Sequence, residues 1–221
     1  MPLDTIAAIL RNGSLDSLIG AKEDLWFEAK LATGYDLATA RGRFELAKDV
    51  SAFGNSDGGY LIVGLRTRRL LVENTDEVTD LDLRPRTEMP VERYSGVIRD
   101  YIHPSITGLD VRWVGSAANP GEGVLAIFIP AQDEARKYFL TARVFEGTEQ
   151  VEQAVFGIFR RVNSGNDPFT IAQLYALTQQ GRSPVAERLT RMEAKLDVSL
   201  AASRPVVDAR SQLEERIRRL L

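Results

Sequence analysis

Two glutamates and one lysine lie in the run EDLWFEAK, from Glu23 to Lys30, and their side chains are suited to chemistry on phosphate groups. A pair of carboxylates such as Glu23 and Glu28 can bind a divalent cation, Mg²⁺ or Mn²⁺, through hard oxygen ligands. Lys30 beside them would bind a phosphate or relieve the repulsion between the two acids. A solvated strand face with an ordinary Glu-Lys pair has the same spacing, so the spacing alone leaves both interpretations open.

An alternating pattern from Leu25 to Leu31 predicts the strand that positions these groups. Its displayed face would carry Trp26, Glu28 and Lys30, while the apolar residues Leu25, Phe27, Ala29 and Leu31 would face the core. Glu23 comes before the strand, in a turn from which its side chain could reach the same face as Glu28. The strand would therefore present both acids and the lysine on one side of a sheet.

Apolar residues recur at helical spacing from Arg41 to Phe53, which predicts a helix packed on a sheet. The run NSDGG that follows, from Asn55 to Gly59, is typical of a tight turn from a helix into a strand. Such a turn exposes backbone amides to a nearby phosphate, which makes Asn55, Gly58 and Gly59 candidate phosphate contacts. It could equally be a simple connection. It is not a Walker loop, because no Gly-Lys-Ser/Thr follows it.

Together these two blocks resemble the core of the Schlafen/AlbA-like nucleic-acid-binding domain. In that family the first block runs acid, four residues, acid, apolar residue and lysine, and the matching positions here are Glu23, Glu28, Ala29 and Lys30. The second block is matched by Ala52, Phe53, Asn55, Gly58, Gly59 and Gly64. A third stretch, FGIFRRVNSGNDPFTIAQLYAL, resembles the strand, polar turn and helix that end the family's domain, with Arg161 in the place of its arginine. The resemblance spans residues 16–180.

The resemblance implies an α+β fold with a mixed sheet packed by helices, and a function in binding DNA or RNA. Nuclease members of the family use three acids, the third of which lies just after the apolar strand that follows the Gly-Gly turn. Arg66 stands at that position here. Unless Asp49 or Asp57 completes the cluster, this leaves an incomplete set of candidate catalytic residues: Glu23, Glu28 and Lys30. Metal-assisted cleavage needs enough charge to hold the ion and orient a water, so we predict a binding protein first and a nuclease third.

The net charge of −3 and the pI of about 5.4 argue against a protein that coats nucleic acid by bulk electrostatics. Binding would need a local cationic patch, in which arginine is favoured because its planar guanidinium donates two hydrogen bonds at once. The candidates for such a patch are Lys30, Arg66, Arg68, Arg69 and Arg161, with Arg84, Arg86 and Arg160 as further basic residues. Arginines scattered over a solvated surface would give the same sequence, so only their positions in space can distinguish a binding patch from scattered charges.

Length and composition predict one main domain, residues 1–181, followed by a helical extension at 182–221. A chain of 221 residues with 44% hydrophobic content can bury one good core. The absence of cysteine and the single histidine, His103, exclude thiolate zinc sites and His-rich metal centres. Because no basic leader begins the chain and no apolar run approaches about 18 residues, we predict a soluble, cytoplasmic protein.

The remaining elements follow from local patterns. We predict helices over Leu3–Leu10, ended by Gly13, and over Val91–Ile102. Strands are predicted over Leu109–Val114 and Gly123–Ile129. The composition of the segment between residues 70 and 89, rich in Asp, Glu, Thr and Arg, predicts a long, loosely structured loop.

The tail has a different character, since Val185, Leu189, Met192, Leu196 and Leu200 form a narrow apolar seam at helical spacing. Such a seam needs a partner, either a second copy of the chain in a homodimer, a partner protein, or the domain itself. We therefore predict a DNA- or RNA-binding protein, a prokaryotic regulator or defence-related component. The alternative is an oligomeric adaptor that acts through residues 184–221, and the third candidate is a metal-dependent endoribonuclease.

Overall fold

The computed structural model describes residues 1–146 and 152–180, and these residues form an α+β fold, as predicted. The helices are α1 (Leu3–Asn12), α2 (Ala40–Gly54), α3 (Val91–Tyr101) and α4 (Ile171–Gln180). The first strands are β1 (Phe27–Lys30), β2 (Gly59–Val63), β3 (Leu65–Leu70), β4 (Thr75–Leu81) and β5 (Ile102–His103). The later strands are β6 (Asp110–Gly115), β7 (Gly123–Ile129), β8 (Leu140–Glu146), β9 (Glu152–Val162) and β10 (Gly165–Pro168).

Two four-stranded sheets and one hairpin organise the compact unit from Met1 to Phe169. The first sheet has the order β1-β2-β7-β6, in which β1 runs parallel to β2 and the other pairs are antiparallel. The second sheet has the order β10-β9-β8-β5 and is antiparallel throughout. Strands β3 and β4 form the separate hairpin. The first sheet is therefore mixed, as the sequence led us to expect.

The first sheet is buried on both faces because its central strands alternate between two cores. Leu61 and Val63 of β2 pack into the core that contains α2 and α3, whereas Ile62 packs into the core that contains α1. Helix α2 contacts α3, strand β7 of the first sheet, and strands β8 and β9 of the second. It therefore lies between the two sheets, where it can connect residues of β1 with residues of β9.

Most of the predicted element boundaries lie within two residues of those in the structure. Helix α1 ends at Gly13, whose φ of 69° is left-handed and suits a glycine cap. Helix α2 is capped by Thr39, whose side chain accepts a hydrogen bond from the backbone of Gly42. The strand predicted over Gly123–Ile129 has those bounds in the structure.

The prediction of a loose loop over residues 70–89 is wrong, because β4 occupies Thr75–Leu81 and pairs with β3. The strand has the sequence TDEVTDL, and only Val78 in it is buried, with 1% of its surface exposed. An exposed strand such as β4 can pack onto the protein through one inward side chain, and its other side chains can be charged. Its polar composition therefore hid it from a search for alternating apolar residues.

The second compact unit begins at Thr170, and the structure describes helix α4 within it. The predicted apolar seam and the proposed oligomerisation segment, residues 184–221, lie outside the described residues. In the part of the chain that the structure describes, no helix is both long enough and apolar enough to cross a membrane.

Candidate functional site

Strand β1 places the charged residues at the junction of the two sheets. Phe27 and Ala29 face the core, as predicted, with at most 3% of their surfaces exposed. The same prediction is wrong for Leu25 and Leu31, which lie just outside β1 and are 37% and 36% exposed. Glu28 is also buried, at 3% exposure, so the expectation that its face is open to solvent is wrong. The cause is that Arg161 of β9 forms an ion pair with Glu28 on this face, and Asp49 of α2 lies 3.8 Å from the Lys30 amine beside it.

Arg161 on β9 is the main partner of Glu28. Its side chain is fully buried, and its Nη1 donates a hydrogen bond to Glu28 Oε2. Nη1 also donates to Asn166 Oδ1 at 3.1 Å, and Nη2 donates to the carbonyl of Asp24 at 2.8 Å. The guanidinium carbon lies 4.5 Å from the centre of the Phe53 ring. These contacts argue against a direct contact of Arg161 with phosphate, because the guanidinium is enclosed by the protein.

Lys30 occupies the outer edge of the same cluster. Its Nζ lies 2.5 Å from Glu28 Oε1 and 3.8 Å from Asp49 Oδ2, while 32% of the side chain stays exposed. Burial by itself lowers the pKa of Lys30, but the negative charges of Glu28 and Asp49 outweigh it and raise the pKa. Lys30 is therefore a permanent cation that faces both the buried acids and the solvent.

Asp49 on α2 completes the buried cluster. Tyr35 donates its hydroxyl to Asp49 Oδ2 at 2.6 Å, and Asn166 donates its amide to Asp49 Oδ1 at 2.7 Å. Burial and the nearby charge of Glu28 raise the pKa of Asp49 to about 6. Asp49 was a candidate replacement third acid from the sequence, whereas no sequence pattern predicted the roles of Tyr35 and Asn166. An acid among the apolar positions Leu46 and Phe53 of α2 is the signal that points to a buried role for Asp49.

Glu23 is held by its neighbours on both sides. Its Oε1 accepts a hydrogen bond from the backbone of Ala29 at 3.0 Å, and its carbonyl accepts one from the Thr75 hydroxyl at 2.7 Å. Burial raises the pKa of Glu23 to about 7, assisted by the charge of Glu28 and opposed by the Ala29 hydrogen bond. A carboxyl group with a pKa near neutrality is a common feature of functional sites.

The predicted divalent cation at Glu23 and Glu28 does not fit this arrangement. Among the described residues, no group of three or more acidic, histidine or cysteine side chains could hold a metal ion. Both oxygens of Glu28 are used, one by Arg161 and one by Lys30. A metal ion would have to displace two cations from one carboxylate.

The turn after α2 serves the packing of the domain. Asn55 donates its amide to the carbonyls of Phe139 and Phe159, at 3.0 and 2.8 Å, and accepts a hydrogen bond from the Phe139 backbone at 2.7 Å. The buried Asn55 amide is thus satisfied within the protein, which argues against a direct phosphate contact. Gly58 is also closely packed, because a Cβ at this residue, whose φ is 75°, would lie 2.4 Å from the carbonyl of Ile129.

Gly59 explains how the turn meets strand β1. A Cβ there would lie 2.4 Å from the carbonyl of Trp26, and that carbonyl accepts a hydrogen bond from the Tyr60 backbone at 2.8 Å. Glycine therefore allows β2 to begin directly against the start of β1. The predicted contact of Gly58 and Gly59 amides with phosphate stays a prediction.

The remaining predicted arginines lie on strand β3 and are exposed. Arg68 pairs with Glu77 at 3.4 Å, and Arg69 pairs with Asp76 at 2.9 Å and with the side chain of Asn74 at 2.6 Å. Strand β3 contacts β1, and the Gly64 backbone before it donates to the carbonyl of Lys30 at 2.7 Å. The structure thus brings Lys30 next to the start of β3, but it places Arg161 in the interior.

Comparison with known proteins gives a structural neighbour and a family. No curated protein matches the chain. One solved structure that matches is the solution NMR structure of the N-terminal domain of a putative ATP-dependent DNA helicase RecG-related protein from Nitrosomonas europaea. It is 18% identical, with a TM-score of 0.38, and the match covers 74% of this chain and 92% of that one.

A family model matches residues 23–170, a range that begins with Glu23 and includes Glu28, Lys30, the glycine turn and Arg161. The matched range also contains every strand of the two sheets. The chain therefore belongs to the Schlafen AlbA_2 family.

Proposed function

We propose that this chain binds DNA or RNA through the surface formed by Lys30, Arg66, Arg68 and Arg69, here called the cationic face. The observation that carries the proposal is the junction of β1 and β3, where the Gly64 backbone donates to the Lys30 carbonyl at 2.7 Å. Strand β3 begins one residue later, so Lys30 lies beside the start of the strand that carries Arg66, Arg68 and Arg69. Membership of the family supports a role that involves nucleic acid.

The arginines of the cationic face form ion pairs but can still bind phosphate. The Arg68 side chain stays 69% exposed while it contacts Glu77, and the Arg69 side chain stays 45% exposed beside Asp76. Exposed pairs of this kind contribute about 0–1 kcal/mol each, so a phosphate can replace the acid at little cost. The face therefore suits weak, salt-sensitive contacts with a sugar-phosphate backbone, in keeping with the acidic pI of the whole protein.

The experiment measures binding of labelled single-stranded and duplex oligonucleotides, DNA and RNA, by fluorescence anisotropy over a range of salt concentrations. The triple variant Arg66→Ala, Arg68→Ala, Arg69→Ala should weaken binding and reduce the slope of log affinity against log salt by about 1 for each lost phosphate contact. The matched control removes three exposed arginines elsewhere, Arg11, Arg93 and Arg99, with the same change in net charge.

Equal loss of binding in both triple variants would show that only net charge matters and would contradict the cationic face. Failure of every oligonucleotide to bind at low salt would contradict the function itself. Within this function, a role as a cytoplasmic prokaryotic regulator or defence-related component remains our proposal. The adaptor hypothesis concerns residues 184–221, outside the described part of the chain, and stays a prediction.

A further inference from the structure

An open cleft of about 470 Å³ lies beside the buried cluster. Its wall comes from three places: the turn before β1, the end of the β3–β4 hairpin, and the turn between β9 and β10. The lining residues are Glu23, Asp24, Leu25, Trp26, Glu73, Asn74, Thr75, Asn163 and Ser164. The volume lies within the range of sites that hold small molecules, and neither the family assignment nor the cationic face explains it.

Trp26 gives this cleft an aromatic surface on a fixed support. Trp26 is 40% exposed, unlike the buried aromatic residues of the cores. Its backbone N–H donates to Asp24 Oδ1 at 2.8 Å, and its carbonyl accepts from the Tyr60 backbone at 2.8 Å. The close approach of Gly59 to the same carbonyl further restricts the main chain. An exposed aromatic side chain on a held backbone is suited to stacking with a flat ring.

The polar part of the lining suits a base edge better than a phosphate. Glu73 pairs with Lys22 at 2.6 Å, Asp24 pairs with the N-terminal amino group at 3.3 Å, and burial raises the pKa of Glu23 to about 7, so the acids leave little unpaired charge. Within residues 1–146 and 152–180, the lining contains no lysine or arginine that would bind an anion. Asn74 and Asn163 supply amide groups, and both have left-handed backbone, with φ of 53° and 55°. This conformation is ordinary for asparagine in a hairpin turn, and it places both residues at the rim of the cleft.

We propose that this cleft binds an unpaired nucleobase, which stacks on Trp26 while its edge meets the amides and hydroxyls of the lining. The proposal rests on the proposed nucleic-acid function and gives it a substrate class, single-stranded nucleic acid. A paired base inside a duplex offers no free face for stacking and no free edge for hydrogen bonds. The cationic face would contact the backbone, and the cleft would select strands whose bases are free.

The test compares two labelled strands of equal length and equal backbone charge, an oligocytidine strand and a strand in which every residue is abasic. The full-length wild-type protein should bind the base-bearing strand about 5- to 150-fold more tightly, the range measured for stacking of one base. Trp26→Ala should bind both strands as weakly as the wild type binds the abasic strand. Trp26→Phe, which retains a smaller ring, should recover part of the preference.

Trp113→Phe is the matched control and also provides an optical readout. Trp113 is the second of the two tryptophans, and its Nε1 donates to the carbonyl of Arg84 at 3.3 Å, away from the cleft lining. The variant should bind as the wild type does, and its remaining indole, Trp26, should be quenched by the base-bearing strand only. A merely structural role for Trp26 predicts no such quenching.

The failures of the two proposals are distinguishable. Equal affinity of the wild type for both strands, or a base preference that persists in Trp26→Ala, overturns the base site and leaves the cationic face standing. Absence of binding to either strand at low salt overturns the proposed function together with the base site.

Discussion

Arg161 and Glu28 form a buried ion pair although 133 positions of sequence separate them. The Arg161 side chain is 0% exposed and that of Glu28 is 4% exposed, so neither charge has access to bulk water. A buried charge is tolerated only when it is paired and hydrogen-bonded. The pair therefore ties β1 of the first sheet to β9 of the second and makes the cluster depend on both.

The first prediction concerns the stability of this connection. Arg161→Ala should lower the free energy of unfolding by about 3–5 kcal/mol, because Glu28 would remain buried without its main partner. Arg160→Ala is the control, since Arg160 is exposed and its guanidinium lies 5.4 Å from the centre of the Phe169 ring. It should cost less than about 1 kcal/mol. Urea unfolding checks both variants, and similar losses in the two would contradict the structural role of the pair.

Local sequence patterns were sufficient to predict the elements that carry the site, because they depend on neighbours along the chain. The alternation around Phe27 and Ala29 predicted β1 and its inward face, and the helical spacing before Phe53 predicted α2. The environment of Glu28 could not be predicted in the same way, because it depends on Arg161, which arrives from a distant strand. The family resemblance indicated that Arg161 matters but suggested phosphate contact instead of an internal ion pair.

Burial likewise separates the predicted binding residues into two groups. Asn55 and Arg161 are enclosed, whereas Arg66, Arg68 and Arg69 are exposed on β3. Residue type alone cannot make this distinction, since asparagine and arginine serve equally as surface ligands and as internal hydrogen-bond partners. Trp26, by contrast, is exposed as the alternation predicted, although a tryptophan is more often part of a core.

The second prediction tests the internal role of Asn55. Asn55→Ala should lower the free energy of unfolding by about 2–3 kcal/mol, because the backbone groups of Phe139 and Phe159 would lose their partners inside the protein. Asn119→Ala removes an exposed hydrogen bond to Glu122, 2.9 Å long, and should cost about 0.5 kcal/mol or less. Thermal unfolding followed by circular dichroism measures the difference. An Asn55→Ala protein as stable as Asn119→Ala would contradict this role.

The third prediction separates backbone strain from steric clash in the glycine turn. Gly58 and Gly20 have similar left-handed φ angles, 75° and 85°, so alanine should cost about 1 kcal/mol at either position through strain alone. Only at Gly58 would the new Cβ meet backbone, 2.4 Å from the Ile129 carbonyl, whereas nothing lies within 4 Å at Gly20. Gly58→Ala should therefore be about 1–3 kcal/mol less stable than Gly20→Ala. Equal midpoints in urea would show that the turn relaxes away from Ile129.

The fourth prediction follows from the raised pKa of Glu23, about 7 in the folded protein against 4.5 for an unperturbed glutamate. Between these two values the folded state binds more protons than the unfolded chain, so the free energy of unfolding falls as the pH rises. Above about pH 8 both states are almost fully ionised and the loss is complete. Asp49, whose pKa is raised from 3.8 to about 6, acts in the same direction at slightly lower pH.

Replacing Glu23 by glutamine tests this assignment. The side-chain carbonyl of the glutamine can still accept the Ala29 hydrogen bond, but the side chain no longer ionises, so Glu23→Gln should be more stable than the wild type at pH 8 by on the order of 2 kcal/mol. The advantage should disappear near pH 4.5, the unperturbed value. Glu88→Gln, at an exposed position, should leave the pH profile unchanged. Parallel profiles for the wild type and Glu23→Gln would contradict the raised pKa.

The fifth prediction concerns nuclease activity. Glu28 is already bound by two cations, Arg161 and Lys30, and Arg66 stands where nucleases of the family carry an acid. The charge left to attract Mg²⁺ or Mn²⁺ is therefore small, and metal-assisted cleavage needs a firmly held ion. We expect the purified protein to leave transfer RNA and single-stranded DNA intact at concentrations of either metal that support binding of the same substrates.

A cleavage assay resolved by gel electrophoresis checks this expectation, and Glu28→Gln is the informative variant. Glutamine keeps the shape of the side chain while it removes the carboxylate, so any cleavage that survives the change comes from a contaminant or another site. Metal-dependent cleavage by the wild type that disappears in Glu28→Gln would contradict our conclusion. It would mean that substrate binding frees the Glu28 carboxylate from Arg161 and Lys30, so that the internal ion pair is a resting state of a catalytic centre.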